Sequence, residues 1–203
     1  MTKKLSIFLL LMAACLTSGA QNAALARKVL DKTAAVVGSK NGASADFSLT
    51  SKKYGSITGT IAIKGNMFHA TTPEAIVWYN GKTQWSYMKK TNEVNVNHPT
   101  EAQQMRMNPY KFITLYKTGY NMGITDKGSN YWVHLTAQNK SATVQELYIR
   151  IGKKSYRPSQ IRMRQGSDWT DINISNFKAK RLPNSLFTFN AKDYPTAEVI
   201  DLR

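Results

Sequence analysis

From Ala45 onward the chain alternates apolar and polar side chains with a period of two, the pattern of strands that bury one face. Phe47 and Leu49 alternate with Asp46 and Ser48, and Ile57, Ile61 and Ile63 with Thr58, Thr60 and Lys64. Gly59 falls on the apolar side of that second run, where a missing side chain permits bending or close backbone approach. Further strands are expected through Met67 and Phe68, on both sides of Asn80-Gly81, and through Val94 and Val96. After a mid-chain break they resume with Tyr120, Met122 and Ile124. Tyr131, Val133 and Leu135 follow, then Leu147, Ile149 and Ile151, then Ile161 and Met163, then Ile172 and Ile174, and a last strand carries Phe187 and Phe189. About ten short strands joined by hairpins predict a mainly β fold, a large curved antiparallel sheet or incomplete barrel.

Two stretches depart from this period. "NAALARKVLDKTAAVVG" places Leu25, Val29, Thr33 and Val36 or Val37 at helical spacing, with Gly38 as the stop. "HPTEAQQMRMNPYKFITLYKTGY" predicts two short helices: Pro99-Thr100 starts one, and Asn108-Pro109 caps the other. Phe112, Ile113 and Tyr116 lie on one side of that second segment. Such an insertion either plugs one end of a barrel or forms a lid, and the pattern leaves both open.

The stretch "AIVWYNGKTQWSYM" concentrates the large apolar residues. Gly81-Lys82-Thr83 looks like the end of a phosphate-binding loop, but the glycine required five residues earlier is Ile76, and no helix follows. Asn80-Gly81 between alternating runs is instead a hairpin signal. A two-residue loop there sets Ile76 opposite Trp85 and Trp78 opposite Thr83, with Tyr87 on the same side. One face of the hairpin is therefore greasy. Periodicity alone does not say what that face covers.

The chain has 203 residues, enough for a single domain with a sizeable core. Lys3 and Lys4 precede the apolar run from Leu5 to Leu16, and Ser18 and Ala20 supply the small residues a signal peptidase reads, so residues 1–20 read as a secretory signal cleaved before Gln21. The mature domain is then 21–203. The one cysteine, Cys15, lies inside that signal, which leaves no disulfide in the mature chain. In a second reading "LMAAC" is a bacterial lipobox and Cys15 a lipid anchor; both readings export the protein. The chain carries 28 Lys+Arg against 12 Asp+Glu, and loss of Lys3 and Lys4 leaves 26 against 12, a net of +14. That field draws the molecule to anionic surfaces. Export and the scatter of the basic residues favour membranes or anionic glycan, and no nucleic-acid partner is expected.

Candidate chemistry is thin. His69, His98 and His134 are scattered, without a second ligand at metal spacing, no Gly-x-Ser-x-Gly elbow occurs, and no carboxylate pair is marked for hydrolysis. No catalytic residue, metal or cofactor is expected. What is abundant is apolar surface on one side of a twisted sheet, which either fills its own interior or holds a ligand.

The run "GTIAIKGNMF" followed by "IVWYNGKTQWSY" resembles the signature of the LolA-type periplasmic lipoprotein carriers, through Gly59, Lys64, Asn66, Phe68, Gly81, Lys82, Thr83, Trp85 and Tyr87. The ending "SLFTFNAKDYPTAEVIDLR", with Phe187 and Phe189, is similar to that family's closing strand. The likeness runs from the first helix to Arg203 and is strongest across these two stretches. It implies an incomplete antiparallel barrel, capped by helices, over an apolar cavity. It also implies a monomeric periplasmic binding protein, not an enzyme, which takes acylated lipoproteins from an inner-membrane lipoprotein-releasing transporter to an outer-membrane acceptor or membrane surface. The expected acyl-cavity lining is Phe47, Leu49, Ile61, Ile63, Phe68, Ile76, Trp78, Trp85 and Tyr87 from strands, with Met105, Phe112, Ile113 and Tyr116 from the lid. Two departures bear on the lid and the cavity: the family's Arg-Pro before the Asn is replaced here by Gly65, and its Trp two residues after the Phe by Ala70. The fold is shared with the lipidated LolB-type acceptor, which gives Cys15 its second reading. Other amphiphile-binding modules of this shape, and an exported hydrolase, are the remaining alternatives.

Overall fold

The computed structural model describes residues 22–53, 55–101, 103–104 and 109–203; the expected signal segment, Cys15, Met105 and Asn108 lie outside these. A first helix, α1, spans residues 22–37. Six strands follow: β1 (Ala43–Ser51), β2 (Gly55–Lys64), β3 (Met67–Thr71), β4 (Ala75–Tyr79), β5 (Gln84–Met88) and β6 (Glu93–Asn97). Residues 101, 103 and 104 are helical, and α2 is Pro109–Thr114, extended by a 3-10 turn at Leu115–Lys117. The chain then forms β7 (Tyr120–Lys127), β8 (Asn130–Ala137), β9 (Glu146–Gly152), β10 (Pro158–Gln165), β11 (Asp168–Ala179) and β12 (Glu198–Asp201).

All twelve strands belong to one sheet in the order β12-β6-β5-β4-β3-β2-β1-β11-β10-β9-β8-β7, and its two edges do not meet. The expected incomplete barrel is present. Neighbouring strands are antiparallel except β12, which joins β6 in parallel. Register puts Phe47 opposite Gly59 and Ile174, Ile61 opposite Ala70, and Ile161 opposite Ile149 and Ile172. One apolar set therefore runs unbroken along the concave face, as period two demands.

The helices follow their sequence signals with one shift of phase. Ala26, Val29, Leu30, Thr33, Ala34 and Val37 form the buried stripe of α1, and Leu25 is exposed at 42%. The Thr33 hydroxyl donates to the Val29 carbonyl, and Gly38 N–H closes the helix on Ala34. At the mid-chain break, Thr100 and Gln103 exchange hydrogen bonds as a capping box: Thr100 N–H donates to Gln103 Oε1 (2.8 Å) and Gln103 N–H to Thr100 Oγ1 (3.3 Å).

Two strand expectations are corrected. The loop of the aromatic hairpin is Gly81-Lys82, not Asn80-Gly81. Asn80 N–H donates to the Thr83 carbonyl, and Asn80 Oδ1 accepts from Lys82 and Thr83 N–H at 3.0 and 2.9 Å. This side-chain turn pulls Asn80 out of the loop and leaves Gly81, at φ +98°, in the first central position of a II′-type turn. Trp78 consequently faces Trp85, and Ile76 faces Tyr87. The second correction concerns Phe187 and Phe189. Phe187 ends a 3-10 turn (Asn184–Phe187) and is fully buried against Ala62 and Leu182; Phe189 follows it, and the closing strand is the later Glu198–Asp201.

This C-terminal segment covers the outer face of the β3–β5 region. Trp78 meets Phe189 and Tyr194 with ring centroids at 5.5 and 5.6 Å, and Tyr87 meets Tyr194 at 4.7 Å. His69 packs on Trp78 at 5.5 Å, and burial holds its imidazole below the ordinary value of 6.5. Phe187→Ala is expected to lower stability by about 3–5 kcal/mol, read as a drop in the urea midpoint. The neutral His69 of the folded state takes a proton less readily than the unfolded chain, so stability falls as pH drops below 6.5. In pH-dependent thermal melts, His69→Gln should make that fall shallower.

Candidate functional site

The concave face is packed unevenly. On the β7–β10 side, Val133, Leu135, Leu147, Ile149 and Ile151 are fully buried beneath Ala26, Val29 and Leu30 of α1 and beneath Phe112, Leu115 and Tyr116. On the β2–β4 side, Ile63, Phe68 and Tyr79 pack against Ala34, Val37 and Ile113. Each helix thus bridges the two groups. Between them, over β1, β11 and the adjoining part of β2, the helices leave a gap, and a cavity of about 280 Å³ remains.

Its floor is Phe47 and Leu49 of β1, Ile57 and Ile61 of β2, and Ile172, Ile174 and Phe177 of β11. Ile63, Phe68, Ala70 and Val77 form one side, and Pro158, Ile161 and Met163 the other. Val37, Phe112 and Ile113 close it from the helices, and Ala45 and Thr72 complete the lining. Nearly every contacting atom is hydrocarbon, and no titratable side chain belongs to the lining. Phe47, Leu49, Ile57, Ile61, Ile172 and Ile174 stay only half-buried although they point inward, because no side chain from above fills the space over them. Leaving such a hollow in a core costs on the order of several kcal/mol.

Gly59 shapes the floor. A Cβ at this position would lie 2.3 Å from the Thr71 carbonyl oxygen and 2.8 Å from Phe47 Cζ. Glycine lets β2 pass close to β3 while the Phe47 ring lies across it. The mixed face of the hairpin supplies the inner side chains Val77 and Tyr79, whose β5 partners are Ser86 and Gln84, so the apolar floor ends at β5. Ala70 stands opposite Ile61, and the small side chain leaves room beside it.

Of the expected lining, Phe47, Leu49, Ile61, Ile63, Phe68, Phe112 and Ile113 border this cavity. Ile76, Trp78, Trp85 and Tyr87 do not. They share a face, as the alternation requires, but it is the outer one, where Trp78 and Tyr87 meet the C-terminal aromatics. β4 is apolar on both faces, so period two groups its residues without saying which group is inside. Tyr116 lies in the filled half at 1% exposure, its hydroxyl donating to Asp31 of α1 and its ring beneath Arg27. Met105 is outside the described residues. The alternation did mark Ile57, Ile161, Met163, Ile172 and Ile174 as inward-facing; which inward residues stay uncovered depends on where the helices sit.

A larger cleft of about 690 Å³ and mixed lining lies across α2, with Lys111, Lys117, Glu101 and Asn139 beside Leu115 and Tyr120. Among the described residues no cluster of His, Cys, Asp and Glu is placed to hold a metal ion, and no helix is long and apolar enough to cross a membrane.

Residues 16–167 match the family described as outer membrane lipoprotein carrier protein LolA. Among solved structures, the chain is similar to an uncharacterized conserved protein from Thermus thermophilus, at 14% identity and TM-score 0.58, over 87% of this chain and 98% of that one. A LolA superfamily protein from Nitrosomonas europaea aligns at 13% identity and TM-score 0.46, over 81% and 97%. A putative outer membrane lipoprotein-sorting protein domain from Vibrio parahaemolyticus aligns at 9% and 0.42, over 82% and 94%. No curated protein matches in sequence.

Gly59→Ala tests the geometry of the floor. A carbonyl oxygen at 2.3 Å cannot rotate away as a side chain can, so a loss of about 1–3 kcal/mol is expected in urea unfolding.

Proposed function

The chain belongs to the family of the outer membrane lipoprotein carrier protein LolA, and on that premise we propose that it binds the acyl chains of lipoproteins in the cavity beneath α2 and ferries them to the outer membrane. The observation that carries this reading is the unfilled apolar hollow of about 280 Å³ between two packed halves of one sheet. Burying an acyl chain of about fifteen CH₂ groups gains about 12 kcal/mol, which no diffusing lipoprotein can forgo in water. A hydrocarbon lining supplies that gain without regard to the protein attached to the chain. The basic exterior keeps the carrier dissolved and draws it toward anionic membrane surfaces.

Known ligand cavities run from about 300 to 1,000 Å³, so the hollow as it stands accepts part of one chain. Two or three chains require α2 to move. Phe112 and Ile113 are the side chains it must withdraw, and Tyr116, held by Asp31, is the pivot that stays with α1. With Gly65 where the well-studied carriers have arginine, packing and this hydroxyl contact help to hold the lid, and release follows from an acceptor with higher affinity. Export through residues 1–20 would place the carrier in the periplasm, receiving cargo from an inner-membrane releasing transporter and yielding it to an outer-membrane acceptor; a lipidated Cys15 would fix it to a membrane instead. In this reading the protein is a binding protein and catalyses nothing.

The closed volume favours one second reading, a carrier for a single-chain amphiphile such as a free fatty acid. Ile61→Trp fills the hollow with a larger apolar side chain and no charge. It should weaken binding of a triacylated lipopeptide at least tenfold while the protein still melts cooperatively. Inner-membrane vesicles incubated with the delipidated mature protein should release lipoproteins in a soluble complex. Uptake of fatty acid without release of any lipoprotein would favour the second reading, and binding of neither would end both.

A further inference from the structure

The outer face of β8–β11 has no covering element among the described residues, in contrast to the outer face of β4 and β5. Solvent-facing sheet surfaces are ordinarily polar. This one carries Trp132, Tyr148 and Trp169, all half-buried, around a cleft of about 400 Å³ completed by Gln160, Arg162 and Asp171. Register fixes the layout. His134, Tyr148, Arg162 and Asp171 form one row across four strands; Trp132, Arg150, Gln160 and Asn173 form the next row on one side, and Glu146, Arg164 and Trp169 the next on the other. The two tryptophans therefore stand at diagonal corners of a patch about 14 Å wide.

The side chains hold one another in place. Tyr148 stacks on His134 at 4.1 Å with planes 4° apart, and the guanidinium of Arg162 lies over Trp169 at 4.6 Å. Arg150 lies over Trp132, and its Nε, shielded from solvent, has no hydrogen-bond partner. Arg164 grips Glu146 with two hydrogen bonds of 2.7 and 3.0 Å, and Arg162 is 3.7 Å from Asp171. Arg162 and Asp171, the charged side chains that line the cleft, offset each other, while Arg150 beside Trp132 leaves the surrounding patch one positive charge in excess. β8 to β11 are interior strands with both neighbours in place, so an extended peptide has no free edge to pair with.

We propose that this cleft is a binding site for an uncharged glycan, distinct from the acyl cavity and independent of it. A pyranose ring presents C–H groups on its faces and hydroxyls around its rim. Tryptophan and tyrosine rings take the faces, and the rim needs planar groups that donate and accept side by side. Gln160, Arg162 and Asp171 supply an amide, a guanidinium and a carboxylate in adjacent positions, and the diagonal between Trp132 and Trp169 accommodates more than one ring.

The mature protein is titrated with N-acetylglucosamine tetramer and with a β-1,4-linked glucose tetramer, observing the indole N–H signals by NMR. At least one should bind at millimolar concentrations or below and move the Trp132 and Trp169 signals, with those of Trp78 and Trp85 unchanged. Trp169→Ala and, as a variant that keeps the packing, Asp171→Asn should each weaken binding at least tenfold without altering lipopeptide uptake. The proposal is overturned if neither sugar binds, if binding survives in both variants, or if Trp169→Ala instead releases the protein from anionic phospholipid vesicles, the behaviour of a membrane-interface belt.

Discussion

The seating of α1 and α2 on the β7–β10 half of the sheet is the interaction on which the rest of the molecule depends. Leu30, Leu115 and Tyr116 meet Val133, Leu135, Leu147 and Ile149 with essentially no residual exposure, and a buried leucine or isoleucine contributes about 1.5–3 kcal/mol. A helix fixed on one half cannot also descend into the trough over β1 and β11. The far ends of the same helices, Val37 and Ile113, reach the β2–β4 side and span the gap. The hollow is what two rigid bridges leave beneath them. Its lining is apolar because the alternation of the strands continues regardless of what lies above.

The same geometry gives the two faces of the sheet different tasks. Around β3–β5 the chain spends its C-terminal aromatics on the outer face, where Phe187, Phe189 and Tyr194 cover Ala62, Trp78 and Tyr87. Phe68 and Tyr79, with rings 5.6 Å apart, are then free to form the inner wall. Lys64 fastens the covering segment, donating to the Leu182 carbonyl at 2.7 Å and to Asn184 Oδ1 at 2.8 Å. Lys64, Gly81, Trp85 and Tyr87, prominent in the family-like stretch, lie outside the cavity lining. Their part is to hold the hairpin and the segment around it, while the lining comes from the plainer aliphatic positions.

Much of this was legible in the residues. Period two, the glycine at 59 and the helical break after Val96 are enough for an open antiparallel barrel with helices inserted; that Phe47, Ile61, Phe112 and Ile113 border a hollow followed only from the resemblance to the LolA-type carriers. The misplacement of Trp78 and Tyr87 has a definite cause. A strand that is apolar on both faces leaves its orientation to long-range partners, here a segment about a hundred residues further along the chain. The partition into filled and hollow halves was equally out of reach, because it is set by where α1 and α2 sit on the sheet, and no local pattern encodes a gap.

A crystal structure of residues 21–203 grown with a diacylated lipopeptide would show what the hollow holds. Continuous density for an acyl chain is expected over Phe47, Ile61 and Ile174, with Phe112 and Ile113 displaced and the β7–β10 half unchanged. Hydrocarbon bound elsewhere, or a trough closed over by its own side chains with the lipopeptide excluded, would contradict the acyl-chain reading.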